Sequence, residues 1–206
     1  MKEKINIVWL KRDLRTQDHD PLFFAEKDTL PYLIIFLYEP SLITYPDTSL
    51  RHLQFCYHSI KEMNNTLSSY RRNVIELYGE AISIFTYIFE NYEVNKLLSY
   101  RESGIQKTWN RDKEIAKLCK EKNIQWDEFQ RDTVLRGIQN RLGWDKAWYT
   151  KMNTLCRKNT YQEKENIKFE NPYPLPVNFE SSLVNYPKEY QPAGEKNGWK
   201  YLESFV

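Results

Sequence analysis

The chain has 206 residues, enough for one large domain or for a domain of about 130 residues with an extension. Thirty basic against 28 acidic residues leave a net charge of +2, so bulk charge designates no polyanionic partner. Three cysteines, Cys56, Cys119 and Cys156, are odd in number and far apart, which excludes a disulfide framework and a thiolate metal site and points to a reducing, cytoplasmic setting. The apolar run 5–10 meets charge at once and is too short for a signal peptide; no run approaches the ~18 apolar residues of a membrane span.

In chain order, "INIVWL" (5–10) reads as a buried strand and "DPLFFAEKDTL" (20–30) as a short helix, with Asp18 or Asp20 as its cap and Pro21 in its first turn. "YLIIFLY" (32–38) is continuously apolar, the mark of a strand covered on both faces. Leu50, Leu53, Tyr57, Ile60, Met63 and Leu67 recur at three and four residues and predict a helix over 49–70. A strand over 72–79, a helix over 81–92, a strand over 93–101, a charged helix over 108–123 and a strand over 124–130 follow. Strands alternating with helices predict an α/β fold, a flavodoxin-like or Rossmann-like doubly wound parallel sheet of five strands in the order 3-2-1-4-5. Beyond residue 131 one helix is expected near 145–155, and 161–191, rich in Pro, Asn and aromatics, is expected to wrap across another surface.

Such sheets bind ligands at the carboxyl ends of their strands, where the strand order reverses. The turn after the first strand is dense in charge, and Arg12, Asp13, Leu14 and Arg15 are expected near that crevice. Tyr38 after the second strand, and Arg101 and Glu102 after the fourth, lie in the neighbouring loops. The plainer alternative is that these charges pair with one another and fasten the loops. No Gly-rich dinucleotide fingerprint, phosphate loop or nucleophile elbow is present. His52 and His58 are misplaced for a shared metal, and His19 reads as a capping or loop histidine rather than a general base. No catalytic or metal-binding residue is assigned.

The turn itself, "WLKRDLRTQDHDPL", resembles the first-strand signature of the photolyase/cryptochrome family at Trp9, Arg12, Asp13, Leu14, Arg15, Asp18, His19 and Leu22. Further similarities follow in order: "SLRHLQFCYHSIKEMNNTL" with Arg51 and Phe55, "WNRD" (109–112), "FQRDTVLRGIQNRLGWDKAWYTKM" (129–152) and "QPAGEKNGWKYLESFV" (191–206). The last is similar to the opening of the family's helical FAD-binding domain. The resemblance implies the N-terminal half of a longer protein: an α/β antenna domain over 1–131, a linker or wrap over 132–192, and the start of the FAD domain over 193–206.

Family members repair UV-induced pyrimidine dimers with light and FAD, or act as blue-light receptors; the deoxyribodipyrimidine photolyase is the leading expectation, with a cryptochrome-type receptor or a stand-alone flavin-binding module as alternatives. The resemblance further implies a partner FAD domain, damaged DNA as the substrate of the whole protein, most DNA contacts outside this chain, and no membrane association. The resemblance implies an antenna of FMN, deazaflavin or lumazine type in the strand-end crevice, with Arg51 and Gln54 of the long helix joining Arg12, Asp13, Leu14, Arg15, Tyr38, Arg101 and Glu102 as its candidate residues. Folate is disfavoured, because Lys107 and Thr108 stand where the folate-binding branch has an asparagine–glutamate pair. The six tryptophans are expected to pack in cores or interfaces rather than to form the family's electron chain.

Overall fold

A computed structural model describes residues 2–134, 139–164 and 167–205. Its centre is a five-stranded, wholly parallel sheet: β1 (Lys4–Leu10), β2 (Tyr32–Tyr38), β3 (Val74–Tyr78), β4 (Glu93–Tyr100) and β5 (Gln125–Phe129), ordered β3-β2-β1-β4-β5. The doubly wound fold expected from the sequence is thus present, with the reversal of strand order beside β1. Every residue of β2 is buried, as its unbroken apolar run requires.

Two-residue periodicity divides β1 between two cores. Ile5, Ile7 and Trp9 face α4 (Ala81–Asn91) and α5 (Gln106–Glu121), packing with Phe85, Ile88 and Ile115. Val8 and Leu10 face α1 (Asp20–Lys27) and α3 (Leu50–Leu67), packing with Leu22, Ile60 and Met63. The α3 stripe read from the sequence is the buried face of that helix, although Leu50 at its start is exposed.

The cap of α1 differs from expectation. His19, not Asp18 or Asp20, is the N-cap, and its Nδ1 accepts from the Leu22 backbone N–H at 3.2 Å. Asp18 takes the left-handed conformation (φ 51°) that turns the chain towards the helix, and Asp20 is already helical.

Three helices carry no strong sequence signal: α2 (Pro40–Ile43), α7 (Val177–Val184) and α8 (Glu195–Glu203). The expected helix near 145–155 is α6 (Trp144–Met152). The aromatic-rich stretch does wrap the body. Ile167 enters one core and Leu183 the other, the Tyr78 amide donates to the Tyr173 carbonyl at 2.9 Å, and Phe179 packs on Tyr38 and Tyr78. Within the family-like run 129–152, residues 135–138 lie outside the described residues. Among the described residues no helix is long and apolar enough to cross a membrane.

Candidate functional site

A cleft of about 500 Å³ opens over the carboxyl ends of β1, β2 and β4. That is within the usual range for small-molecule sites, roughly 300–1,000 Å³. The loop after β2 folds over it: α2 and the turn behind it contribute Leu42, Ile43 and Tyr45, the first turns of α3 contribute His52, Leu53 and Cys56, and Ile105 closes the far side. The walls are therefore mainly apolar. The floor is polar and is built around Arg111 of α5.

Arg111 Nη1 donates to Glu39 Oε1 at 2.6 Å, and Nη2 donates to Glu102 Oε2 at 3.1 Å and Asp112 Oδ1 at 2.9 Å. Lys11 Nζ donates to the other Asp112 oxygen at 2.7 Å. Both cations also lie against Trp9, at 4.5 Å for Lys11 and 4.7 Å for Arg111. Three acids and two bases from β1, the β2 and β4 ends and α5 thus form one buried network, each charge facing an opposite one. Burial pushes Glu39 above the usual carboxylate range, with Arg111 opposing it, and burial lowers Lys11 against the pull of Asp112. Arg12 is different: its side chain is 58% exposed, and among the described residues its ion pair is a long one, 4.0 Å to Glu102, at the mouth of the cleft.

Of the nine residues singled out from the sequence, Arg12, Tyr38 and Glu102 line this cleft and six do not. Asp13 is buried beneath the turn, accepting from the Lys11 and Arg12 amides at 3.0 and 3.1 Å and facing His19 Nε2 at 2.7 Å. Burial works against its ionisation, but the hydrogen bonds from His19 and the Lys11 amide, with the charge of Arg131, outweigh that and hold the carboxyl below its usual range. Leu14 packs into the α1–α3 core. Arg15 binds the Gln17 and Asp18 carbonyls at 2.6–3.1 Å and so ties its own turn.

Arg51 stacks on Tyr190, 4.6 Å from its ring, and Gln54 clamps α7 by donating to the Ser182 and Asn185 carbonyls at 2.8 and 2.7 Å. Arg101 is exposed beside the cleft, its amide donating to the Phe129 carbonyl. Tyr38 offers its ring alone, since its hydroxyl is held by Glu76 at 3.0 Å.

Most of the charged turn therefore holds the chain's own later segments. The Thr16 amide and hydroxyl donate to Glu195 Oε2 at 2.7 and 2.6 Å, and the Gln17 amide to Oε1 at 2.9 Å. Asn159 exchanges hydrogen bonds with the His19 amide and carbonyl, both at 2.9 Å, and Arg157 pairs with Asp20. Asp13, Arg15 and the stretch 16–20 thus fasten the turn and the later segments, while Arg12 lines the cleft.

Sequence reasoning about the crevice missed Glu39, Arg111 and Lys11. The signal for Arg111 was present in "WNRD", where an Arg–Asp pair opens a helix under the strand ends. Lys107 and Thr108, one turn earlier, are committed within the chain: Lys107 Nζ donates to the Ser41 carbonyl at 2.6 Å and Thr108 Oγ1 to the Ile105 carbonyl at 2.8 Å. Thr108 also lines the cleft. The tryptophans divide: Trp9 is in the core, 5.9 Å from Trp126, while Trp144 and Trp199 are exposed.

The family model for DNA photolyase matches residues 6–163. No curated protein sequence matches the chain significantly. Its fold is similar to that of the archaeal photolyase from Sulfolobus tokodaii, described with two FAD molecules that imply a novel light-harvesting cofactor (TM-score 0.71, 20% identity, 96% of this chain and 46% of that one). It is also similar to the Synechocystis sp. PCC6803 cryptochrome (TM-score 0.76, 17% identity, 100% and 46%). A bacterial class III photolyase from Agrobacterium tumefaciens shares the fold as well (TM-score 0.70, 14% identity, 100% and 45%). The chain thus spans somewhat less than half the length of these solved structures.

Proposed function

This chain belongs to the DNA photolyase family, and from that premise we propose that it is the N-terminal antenna domain of a deoxyribodipyrimidine photolyase. The observation that carries the reading is the cleft: a mainly apolar slot of about 500 Å³ at the strand ends beside the reversal of strand order, with a fixed polar floor. In the proposed division, residues 1–131 form the antenna domain, 132–192 the wrap, and 193–206 lead into a helical domain that binds FAD. The second chromophore of the Sulfolobus tokodaii photolyase supports a ring-type antenna here, of FMN, deazaflavin or lumazine type rather than folate. Such a group, when bound, absorbs light and passes the excitation to FAD.

The chain's own residues would bind and orient it. Leu42, Ile43, Tyr45, Leu53 and Ile105 would sandwich the ring, because apolar walls exclude water from its faces. Glu39, Glu102 and Arg111 are held rigid by their mutual pairs and would fix the ring edge. Arg12 would meet any anionic tail at the mouth. The chain itself contributes no bond-making step; dimer repair would belong to the whole protein in a reduced, cytoplasmic setting, with damaged DNA as its substrate.

The test is near-ultraviolet and visible absorption of the purified chain after incubation with FMN, deazaflavin or folate and passage through gel filtration. A flavin- or deazaflavin-type band that is retained, and lost in Arg111→Met, is the expected result. A flat spectrum under every condition overturns the antenna reading. The fold is shared with a cryptochrome, and a repair assay on a protein joining this domain to a flavin domain separates the two activities, since a receptor leaves dimers intact.

A further inference from the structure

One charged surface takes no part in the cleft. Residues 139–160 hold five cations, Arg141, Lys146, Lys151, Arg157 and Lys158, against Asp145 alone, in a chain whose whole net charge is +2. The same stretch exposes aromatic and apolar groups: Tyr149 is 60% and Leu142 93% accessible, and Trp144, Met152 and Leu155 are also exposed. Helix α6 buries none of its residues, so core packing does not account for its sequence.

The arrangement has a regular chemistry. Helical spacing places Lys146 beside Tyr149 and Thr150, and Lys151 beside Trp148, so each lysine of α6 has an aromatic neighbour on the helix surface. Trp148 and Tyr149 meet edge to face at 5.1 Å, which stiffens the rings. Arg141, Lys146, Lys151 and Lys158 have no ion-pair partner among the described residues. Only Arg157 is neutralised, by Asp20, and its backbone is pinned to Asp18 at 2.8 and 2.9 Å. The patch is therefore anchored to the folded body at one end and presents free cations and rings at the other.

We infer that this surface binds a nucleic-acid strand, phosphates lying on Arg141, Lys146, Lys151 and Lys158 and bases stacking on Tyr149 and Trp144. Charge complementarity selects the occupant: unpaired lysines and arginine interleaved with aromatics suit a polyanion with π-faces. A protein surface would better match α8, whose exposed Trp199 and Leu202 sit among Glu195 and Glu203 as well as lysines. The inference goes beyond the antenna reading and gives this domain a DNA contact of its own, where family resemblance implies that most such contacts lie elsewhere.

The test is fluorescence anisotropy of a labelled oligothymidylate of about 12 nucleotides titrated with the full chain, without added chromophore. Four phosphate contacts on a single strand give a salt slope near −2.8, so affinity should fall about 50-fold between about 50 and 200 mM salt. In Lys146→Gln/Lys151→Gln the fall over the same interval should shrink to about sevenfold, with weaker binding at low salt. Tyr149→Ala should cost about fivefold or more through lost stacking. These residues are exposed, and circular dichroism verifies that each variant folds. Absence of binding at low salt, or unchanged affinity and salt slope in the double variant, overturns the inference. So does sedimentation showing that a second copy occupies the patch and that the oligonucleotide does not displace it. Failure here leaves the antenna reading intact, and a flat absorption spectrum leaves this inference intact.

Discussion

Replacing Asp13 with Asn tests how the charged turn is held. The native carboxylate is buried and accepts from the Lys11 amide, the Arg12 amide and His19 Nε2 at 2.7–3.1 Å. His19 Nδ1 accepts from the Leu22 amide, so the proton of the neutral ring is on Nε2, pointing at Asp13. In Asp13→Asn the amide oxygen still serves the two backbone donors, which leaves its NH2 facing the Nε2–H. Donor then meets donor. If the imidazole shifts its proton to Nδ1 to relieve this, it loses the Leu22 cap instead.

The loss is therefore either a hydrogen bond to a charged group, about 1.5–3 kcal/mol, or, after the tautomer shift, a helix cap of about 1 kcal/mol, so the variant should lose roughly 1–3 kcal/mol. Urea unfolding monitored by circular dichroism should show it. The pH dependence follows from the depressed Asp13 pKa in the folded state. Its contribution is complete above the unfolded value of about 3.9 and is lost as pH falls through the lower folded value. Wild type should lose its advantage over Asp13→Asn below about pH 4. A variant within about 0.5 kcal/mol of wild type, with the same acid dependence, would refute this account of the turn.

Three other outcomes are expected. Gln54→Leu removes the clamp on the Ser182 and Asn185 carbonyls, and should cost about 1–3 kcal/mol and open the stretch after α7 to limited proteolysis; an unchanged cleavage pattern would contradict the clamp. Gly194→Ala should release α8, because φ at 194 is +104° and a Cβ there would lie 1.9 Å from Glu62 Oε2, the carboxylate that accepts from the Lys196 amide through its other oxygen. Hydrogen exchange should then rise over Glu195–Glu203 while the sheet stays protected, and equal protection would count against the strain. Cys156 is exposed, whereas burial pushes the Cys56 thiol up to about 11 and Cys119 up to about 12. Thiol labelling at pH ~8 should therefore modify one cysteine quickly and two slowly; fast labelling of Cys56 would show that the cleft is more open than the structure has it.

Much of the architecture was legible because apolar side chains report their surroundings locally. The unbroken run of β2 and the three-and-four spacing of α3 each require a particular burial, and strands alternating with helices admit few parallel topologies. The ordered likeness of "WLKRDLRTQDHDPL" and "WNRD" to one family was equally present in the chain. Helices α7 and α8 were not legible: α7 is held by Gln54 from α3, and α8 by Glu62 and by the turn at Thr16, partners more than a hundred residues away.

The same distinction divides the site. Sequence alone determined that charge gathers at the strand ends, and there Arg12, Tyr38 and Glu102 were found. Tertiary structure decided the rest, sending Gln54 to a clamp and Asp13 to a histidine, and bringing Arg111 across 72 positions to Glu39. An apolar residue is satisfied by any dry neighbour, so its own type predicts its place. A charged or amide side chain needs one counterpart in one geometry, and which counterpart it meets is settled only when the distant segments pack together.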